Sequence, residues 1–548
     1  MSNRYIKGMA AKRKYPVGIQ SFGSIREDGY LYVDKTPLIY KMITEGKPYF
    51  LSRPRRFGKS LLISTLDAVF SGRRELFEAF TTDYGIEQPQ LYIARTDWRW
   101  EKYPVLRFDF SAGELTTIEQ LDTLIDSTLK RYEKEYGISP DVADANIRMA
   151  NLMRTLHQQT GKRVVVLVDE YDNFILHALG DEQRVTTARQ RFQNLFGPLK
   201  AEDDHLQFAF ITGISKFSQM GIFSKLNQLN NISMQSQYET ICGISEEELL
   251  TQMRPDIEMM AQREGISFDE QLGELKRMYD GYHFGKDKTD IYNPFSLVKA
   301  FASSDIADYW FASGTPGAVI NLLANLPPLE MRDVDAVRCE ASAFDQSFDS
   351  YVSPLPILYQ SGYLTIKDYD KELDEYTLGF PNLEVSKGFA DCLYQHVMHR
   401  QKINDKDKSQ LFRAYKIFRR DDELPPLVDA IKAFFAGIPY QLSDKEKARD
   451  EHYYHALLYT LFMAFGADVT AEESSAKGRS DIVLRMPKGI YILEIKLDKP
   501  AETALRQIDD RDYAGKYRLD SRPLTKVALC FSSQERNVVE WQSQSVGK

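Results

Sequence analysis

Three short, almost purely apolar segments constrain the fold of this chain more than any other feature. They span residues 104–111, 163–172 and 206–215, and a fourth such segment, KPYFLS, spans residues 47–52. Long polar or amphipathic stretches with helical spacing separate them. Strands that are buried on both faces of a parallel sheet have this continuous apolar character, and helices form the crossovers between them. The first half of the chain therefore predicts an α/β domain with a parallel sheet.

A Gly-Lys-Ser sequence follows the first of these strands and precedes the helical stretch LLISTLDAVF. In a phosphate-binding loop, backbone N–H groups contact phosphate oxygens, the lysine reaches the terminal phosphates and the serine binds Mg²⁺. We assign these roles to Gly58, Lys59 and Ser60. The first glycine of the usual pattern is absent, and Arg53 occupies its position. Because a motif this short also arises by chance, its context has to decide.

Polar residues at the ends of the next strands supply that context. Asp169 and Glu170 end the most β-branched strand, where an aspartate would hold Mg²⁺ and a glutamate would orient the attacking water. Thr212 ends the following strand, near Ser215 and Lys216, at the position of a sensor for the γ-phosphate. Acidic residues also terminate strands for purely structural reasons. The order of these features nevertheless favours a site for ATP and Mg²⁺.

A second chemical pattern lies in SDIVLRM and IYILEIKL, which PKG joins into a predicted hairpin. Residues i and i+2 of a strand share a face, so Glu494 and Lys496 point the same way, and the hairpin brings Asp481 beside them. Two carboxylates and a lysine form a site for Mg²⁺, or alternatively Mn²⁺, that suits phosphodiester hydrolysis. The structural alternative is an exposed hairpin with alternating charge.

Five longer motifs, YVDKT, RPRRFGKS, VDEYD, YDGYHF and YNPFSL, together resemble the AAA-ATPase-like family. This is a bacterial group whose members commonly carry a C-terminal PD-(D/E)xK nuclease-superfamily domain, which GRSDIVL and YILEIKL also resemble. The resemblance covers nearly the whole chain. It implies an AAA-ATPase-like P-loop domain, a helical and winged-helix-like lid or connector and a PD-(D/E)xK nuclease-like α/β domain. Between the last two, the highly charged residues 399–426 predict a linker or an exposed helical segment. In chain order, with this segment third, we predict these domains at residues 1–239, 240–370, 371–426 and 427–548.

The resemblance also implies roles for residues outside the two short motifs. It makes the arginines a family variant of the phosphate loop, in which Arg53 adds positive charge and Arg55 or Arg56 lies near phosphate. Glu451 matches the helical acidic residue of the nuclease superfamily, and Gln507 matches a glutamine on the helix after the hairpin. That helix and its sequel carry basic residues interleaved with tyrosines, a face that suits a nucleic-acid backbone: Arg506, Arg511, Tyr513, Lys516, Tyr517 and Arg518.

Composition and charge bound the remaining options. The 548 residues carry a formal net charge of −9, so binding to DNA would depend on local basic patches. No apolar run approaches the about 20 residues of a membrane helix, and the N-terminus lacks the apolar core of a signal peptide, so we expect a cytoplasmic protein without membrane contact. The four scattered cysteines indicate neither disulfides nor zinc. His452 and His455 either bind a metal or lie on an aromatic-rich helix face.

The sequence thus favours an ATP-binding and ATP-hydrolysing enzyme with a metal-dependent nuclease-like domain that acts on DNA. One alternative is a regulatory module in which ATP acts as a conformational switch and the nuclease fold binds nucleic acid or protein without cutting. Another is a bare ATPase whose C-terminal domain mediates protein contact. Many P-loop ATPases of this type complete their site with an arginine from a neighbouring subunit, so a homo-oligomer remains one of the alternatives. The sequence does not identify an arginine for this role.

Overall fold

The computed structural model describes residues 13–111, 113, 115–139, 142–178, 181–214, 228–310, 337–340, 355–401, 405–438, 450–475 and 478–546. These residues form two compact units, which divide between Glu384 and Val385. The predicted segment 371–426 is therefore shared between the two units, and the four predicted domains remain predictions. Within the described ranges, no helix is both long and apolar enough to cross a membrane.

The first unit alternates strands and helices. Its strands are β1 (Pro48–Ser52), β2 (Phe80–Thr81), β3 (Glu87–Gln88), β4 (Val105–Asp109), β5 (Val164–Asp169), β6 (Leu206–Gly213), β7 (Asn230–Asn231), β8 (Ile244–Ser245), β9 (Ile291–Tyr292), β10 (Val337–Glu340), β11 (Thr365–Asp370) and β12 (Glu375–Gly379). Its helices are α1 (Phe22–Glu27), α2 (Thr36–Glu45), α3 (Lys59–Phe70), α4 (Ile118–Glu135), α5 (Ala145–Thr160), α6 (Asn173–His177), α7 (Glu182–Phe196), α8 (Pro198–Ala201), α9 (Glu246–Gln252), α10 (Arg254–Glu264), α11 (Phe268–Tyr279), α12 (Pro294–Ser303) and α13 (Leu355–Gln360).

A five-stranded sheet, in the order β4-β5-β6-β1-β7, organises this unit, and all its pairs are parallel. Strand β5 is buried along its whole length, as its β-branched sequence predicts. The register pairs Asp109 with Asp169 and Leu51 with Thr212. The carboxyl ends of β5, β6 and β1 therefore meet at one edge of the sheet, which is where ligands bind in open α/β folds.

Helices α4, α5 and α7 share a core with the sheet that includes Phe108, Val166 and Phe192. Helix α4 begins at a capping box, in which the Thr117 hydroxyl accepts from the N–H of Gln120 and the Gln120 amide oxygen accepts from the N–H of Thr117. Its buried residues recur at helical spacing and confirm the predicted amphipathic helix: Leu121, Ile125, Leu129 and Tyr132.

The rest of the first unit contains the helices α9 to α12 and an antiparallel sheet in the order β10-β12-β11. Helices α9, α10 and α11 follow one another closely, and helix α13 leads into β11. Both features agree with the helical and winged-helix-like character expected of residues 240–370. Leu249, Tyr279, Tyr292 and Leu297 belong to one core cluster here, so the aromatic turn motifs contribute packing.

The second unit is a mixed sheet with helices. Its helices are α14 (Leu383–Gln401, whose first two residues belong to the first unit), α15 (Asp405–Asp421), α16 (Leu424–Ala436), α17 (Glu451–Ala464) and α18 (Ala501–Asp510). Its strands are β13 (Val469–Ser475), β14 (Gly478–Arg485), β15 (Ile490–Leu497), β16 (Leu524–Ser532) and β17 (Asn537–Val546). They lie in chain order, with β15 and β16 parallel and the other pairs antiparallel.

The second unit confirms the predicted hairpin, because β14 and β15 pair with Arg485 opposite Ile490. The highly charged run in residues 399–426, predicted as a linker or an exposed helical segment, is largely helical and includes all of α15. Together the two units confirm the predicted fold class, a P-loop type parallel sheet followed by a nuclease-like α/β domain.

Candidate nucleotide and nuclease sites

The loop between β1 and α3 has the geometry that phosphate binding requires. Gly58 precedes the first residue of α3 with φ +92° and ψ 18°, a left-handed conformation that favours glycine. A Cβ there would meet no atom within 4 Å, so the backbone conformation, and not lack of space, is the reason for glycine. The chain then turns directly into the N-terminal end of a helix 12 residues long, where backbone N–H groups attract anions.

Lys59 lies across this loop. Its side chain is buried, and Nζ donates to the carbonyl oxygens of Arg53 and Pro54, each at 3.0 Å. Both carbonyls belong to the loop itself, so the ammonium group is held where a phosphate chain on the loop would meet it. Ser60 follows on α3, and Lys59 and Ser60 both line a cavity beside the loop.

Arg53 has a different role from the one that the sequence suggested. Its guanidinium group is buried and donates to the carbonyl oxygens of Ser233 at 2.7 Å and Tyr238 at 3.2 Å, and it lies 4.1 Å from the ring centre of Phe284. Arg53 therefore fastens the loop to the segment after β7 and does not contribute charge to a phosphate site. The missing first glycine is replaced by a structural anchor.

Arg55 and Arg56 are exposed and line the cavity, as expected of residues near phosphate. The Arg56 guanidinium carbon lies 4.6 Å from the ring centre of Phe295, and its backbone has φ +69°. The backbone carbonyl of Arg55 accepts a hydrogen bond from the indole of Trp310 at 3.3 Å. Both arginines remain predicted phosphate ligands.

The acidic end of β5 forms the other side of the site. Asp169 is fully buried, and its Oδ1 accepts from the Thr212 hydroxyl at 2.9 Å, whereas Oδ2 has no hydrogen-bond partner among the described residues. A buried carboxylate oxygen without a partner is costly, and coordination of Mg²⁺ would satisfy it. Thr212 therefore holds Asp169 in place. Ser215 and Lys216 lie outside the described residues.

Glu170 directly follows Asp169 in a left-handed conformation, φ +49°, which is uncommon for a glutamate. It lines the cavity. Burial raises the pKa of Glu170, and the neighbouring Asp169 and Asp172 add to this, whereas Lys59 opposes it. A carboxylate with a raised pKa is a better general base, so the geometry suits the predicted role in orienting and deprotonating water.

The phosphate loop and Glu170 line a cavity of about 640 Å³, within the range of about 300–1,000 Å³ found for small-molecule sites. The lining combines the loop and Glu170 with apolar side chains, of which only Val33 and Phe295 lie in motifs quoted from the sequence: Val17, Ile19, Leu31, Val33, Phe295 and Val298. Charged groups for phosphates and apolar surface for a base are thus both present. No motif marks the other four apolar residues, which come from segments separate from the loop in sequence.

Asp34 and Lys35, of the YVDKT motif, are held by protein contacts. Asp34 accepts hydrogen bonds from the Thr36 N–H and the Tyr92 N–H, each at 2.8 Å. Lys35 lines the cavity and pairs with Glu248 at 2.6 Å. The sequence leaves two roles open for these residues, seating the nucleotide or structural pairing, and the contacts support structural pairing in one wall of the cavity.

In the second unit the predicted acidic residues come together where two strands separate. The last paired residues of β14 and β15 toward the site are Ile482 and Leu493. Beyond them, the side chain of Asp481 takes the place of backbone pairing, since its Oδ2 accepts from the N–H of Ile495 at 2.7 Å. This arrangement turns the carboxylate toward Glu494, on the neighbouring strand.

Glu494, Lys496 and Glu451 form the rest of this cluster. Lys496 Nζ donates to Glu494 Oε1 at 2.9 Å and to Glu451 Oε1 at 3.2 Å, and Glu451 Oε2 accepts from the N–H of Leu497 at 3.0 Å. Glu494 is fully buried, and its Oε2 has no hydrogen-bond partner within the described part of the chain. As with Asp169, the unpartnered oxygen fits a divalent cation, which Asp481 and Glu494 would hold.

Two regions of the chain match known protein families. Residues 16–223 match the AAA-ATPase-like family, described as predicted AAA-ATPases, and residues 449–541 match the PD-(D/E)XK nuclease superfamily. A relative from Azotobacter chroococcum mcd 1, described as an uncharacterized protein in the vnfD 5′ region, is 35% identical over 547 residues, which cover 98% of this chain and 100% of the relative.

The chain belongs to the AAA-ATPase-like family. Both family matches contain the clusters described above, since Lys59 and Asp169 lie in the first and Asp481 and Glu494 in the second. The AAA-ATPase-like protein is therefore a potential ATPase with a C-terminal nuclease-superfamily domain, and the predicted resemblance is confirmed.

Three predicted residues of the AAA-ATPase-like protein, Gln507, Lys516 and Arg518, form no hydrogen bond or ion pair with the acidic cluster among the described residues. Gln507 lies on α18, which packs against β15 and β16, but no side-chain hydrogen bond of Gln507 is found among the described residues. Lys516 pairs with the buried Glu473 at 2.5 Å, and Arg518 pairs with Asp512 at 3.2 Å. The predicted basic face is thus partly neutralised, and Tyr513 is buried in the core.

Glu494 predicts a pH dependence of metal binding. Burial and the neighbouring Asp481 raise the pKa of Glu494 to about 7. A cation binds the ionised carboxylate, so protons compete with it below that pH. We expect the Mn²⁺ affinity of this site to rise by up to about tenfold per unit as the pH approaches 7 and to level off above it. Isothermal titration at several pH values measures the Mn²⁺ affinity of the wild type and of Glu494→Gln. A difference in affinity between the two proteins that does not change with pH would contradict this prediction.

The buried contacts of Arg53 predict that its replacement destabilises the protein more than replacement of the neighbouring Arg55. Arg53→Leu leaves several buried carbonyl oxygens without a donor, so we expect it to lower the free energy of unfolding by about 3 kcal/mol. Arg55→Leu, at an exposed position, is the matched control and should change it by no more than about 0.5 kcal/mol. Urea unfolding of the two variants checks this. Equal stabilities would show that the contacts of Arg53 are not structural.

Proposed function

We propose that this AAA-ATPase-like protein is a cytoplasmic enzyme that binds and hydrolyses ATP and cuts DNA with its C-terminal domain in the presence of a divalent cation. The observation that carries the proposal is the cluster of Glu451, Asp481, Glu494 and Lys496, in which one buried carboxylate oxygen has no partner among the described residues. Burying such charges costs several kcal/mol. A domain that used this fold only for contacts would not need to retain them.

The ATP half of the proposal assigns roles to residues at the edge of the parallel sheet. The loop at Gly58 and Lys59 would bind the phosphates through N–H groups and the ammonium group. Ser60 and Asp169 would hold Mg²⁺, which when bound neutralises charge on the phosphate oxygens. Glu170 would orient the attacking water and accept its proton, a role that its raised pKa supports.

The nuclease half assigns separate roles to the four clustered residues. Asp481 and Glu494 would hold Mg²⁺ or Mn²⁺, which when bound polarises the scissile phosphate. Lys496 would stabilise the charge that develops on phosphate, or position the water. Glu451 accepts hydrogen bonds from both Lys496 and the backbone of β15, so it fixes the lysine and acts as a positioning residue.

DNA is the proposed substrate because the exposed side of the second unit offers basic residues close in sequence to the cluster. Arg506 and Arg511, on and just after α18, are exposed. Basic side chains of this kind contact phosphates without reading sequence. Because such contacts release counterions from the DNA, we expect DNA binding to weaken as the salt concentration rises.

The experiment that tests the proposal follows ATP hydrolysis and DNA cleavage in one preparation of the full chain. Supercoiled, linear and single-stranded DNA are each supplied with Mg²⁺ or Mn²⁺, with and without ATP. Metal-dependent cutting of any form supports the nuclease assignment, and a change of its rate with ATP would show that the nucleotide controls it. ATP hydrolysis with DNA binding but no cutting would instead favour the ATP-switched binding module.

A further inference from the structure

Two groups of acidic and histidine side chains, among the described residues, place three ligand atoms close enough for one metal ion. One contains Glu246, Asp280 and Asp290, and the other contains His452, His455 and Glu472. The first already surrounds a cation, because Lys276 Nζ lies 2.8 Å from Glu246, 3.6 Å from Asp280 and 3.1 Å from Asp290. The first group is therefore occupied by an internal ion pair, and only the second is considered further.

The second group brings together two histidines of α17 and a glutamate of β13. One ligand atom from each of His452, His455 and Glu472 lies within 4.8 Å of the others. The histidines are three residues apart on the helix, so they lie on one face, and their ring centres are 5.9 Å apart. Metal bonds of about 2.0–2.2 Å place two tetrahedral ligands about 3.3–3.6 Å apart, so the three donors need only small side-chain movements to bind one ion.

His455 is already oriented in the way that metal-binding histidines usually are. Its ring is buried, and Nε2 lies 2.7 Å from the backbone carbonyl of Asp481, to which it donates. This hydrogen bond fixes the ring and leaves the lone pair on Nδ1, the arrangement in which a backbone carbonyl supports a metal ligand. The same contact ties the histidine directly to a residue of the nuclease-like cluster.

Glu472 has a strained backbone conformation. It has φ +47°, in the middle of a strand, which costs a non-glycine residue about 1 kcal/mol or more. The register of β13 and β14 places it opposite Asp481, between the pairs Ala471–Ile482 and Glu473–Ser480. Its ion pair with Arg479, at 3.3 Å, involves an exposed arginine, and such pairs contribute little.

We propose that His452, His455 and Glu472 bind a divalent transition-metal ion of the zinc class, at a site separate from the carboxylates that would hold Mg²⁺. The two imidazoles are borderline ligands that favour Zn²⁺ or Co²⁺ over Mg²⁺, the carboxylate adds a third ligand, and three protein ligands leave at least one position open. The ion joins α17, which carries Glu451, to β13, opposite Asp481. It thereby positions the nuclease-like cluster, and its binding does not depend on whether that cluster cuts DNA.

The test measures metal binding by the full chain, without any assay of activity. After dialysis against Zn²⁺ and then metal-free buffer, elemental analysis should find about one equivalent more zinc per chain in the wild type than in His452→Gln or Glu472→Gln. Glu494→Gln should keep that zinc. His157→Gln, which alters a histidine of the first unit whose Nδ1 lies 2.9 Å from Nδ1 of His205, should keep it as well.

A second measurement separates binding from misfolding. Visible absorption of added Co²⁺ should appear in the wild type and be lost in both site variants, whose circular dichroism without metal should match the wild type. Zinc should also raise the thermal unfolding temperature of the wild type but not that of the variants. Equal zinc content and equal Co²⁺ spectra in the wild type and both folded variants would overturn the proposal.

Discussion

Replacing Glu494 by glutamine is expected to abolish metal-dependent DNA cleavage. Glutamine has the size of glutamate and is uncharged. Because the pKa of Glu494 is about 7, an uncharged side chain is already tolerated at this position, so the fold should survive. The substitution removes the charge that would hold the cation beside Asp481, and it weakens the hydrogen bond from Lys496. Removing one group that stabilises the transition state typically costs about 10²–10³ in rate, and the loss of the cation should cost at least that.

The matched control is Glu502→Gln, an exposed glutamate in the first turn of α18 in the same unit. It should cut DNA at the wild-type rate. The assay compares initial rates of plasmid nicking at saturating Mn²⁺, and ATP hydrolysis by Glu494→Gln serves as the test that the chain is folded. Cleavage by Glu494→Gln at the rate of Glu502→Gln would show that the cutting activity resides elsewhere or in a contaminant.

Replacing Lys59 by methionine is expected to lower kcat/KM for ATP hydrolysis by about 10²–10³-fold. The ammonium group is the buried cation that the loop carbonyls of Arg53 and Pro54 hold at the phosphate-binding turn. Methionine fills the same volume without charge, so the phosphate chain would lose its main electrostatic partner. Release of phosphate from ATP by the purified variant gives the measurement.

Lys41→Met is the control for that variant, because Lys41 lies on α2 and its ammonium group donates to the exposed Gln237 side chain. It should hydrolyse ATP as the wild type does. The circular dichroism of Lys59→Met must match the wild type for the comparison to hold. Wild-type hydrolysis by a folded Lys59→Met protein would remove this loop from the ATP site. Comparing DNA cleavage by Lys59→Met with that of the wild type would then show whether the two activities are linked.

Local sequence patterns predicted the parts of the molecule whose physics is local. The β-branched run before Asp169 forms a fully buried strand, and Gly58 adopts the conformation that a phosphate loop needs. The alternation in IYILEIKL places Glu494 and Lys496 on one face, where their side chains meet at 2.9 Å. In each case the period of the strand or the turn preference of a single residue determines the geometry.

The role of Arg53 could not be predicted in this way, because its partners Ser233 and Tyr238 follow about 180 residues later in the chain. Likewise, β13, which carries Glu472, reads as polar turn sequence. It forms a strand because it pairs with β14, and strand propensity depends strongly on such context. The anchor of the phosphate loop thus depends on contacts of long sequence separation, whereas the proposed histidine site depends on the pairing of two strands that are neighbours in sequence.

The nicking of supercoiled plasmid by the wild-type protein, titrated with Mn²⁺, tests the central claim most directly. The account predicts a saturable, metal-dependent rate that a chelator abolishes and that falls as the pH drops below about 7, because protonation of Glu494 competes with the cation. Protein that hydrolyses ATP, and is therefore folded, but cuts no plasmid at any Mn²⁺ concentration would contradict it.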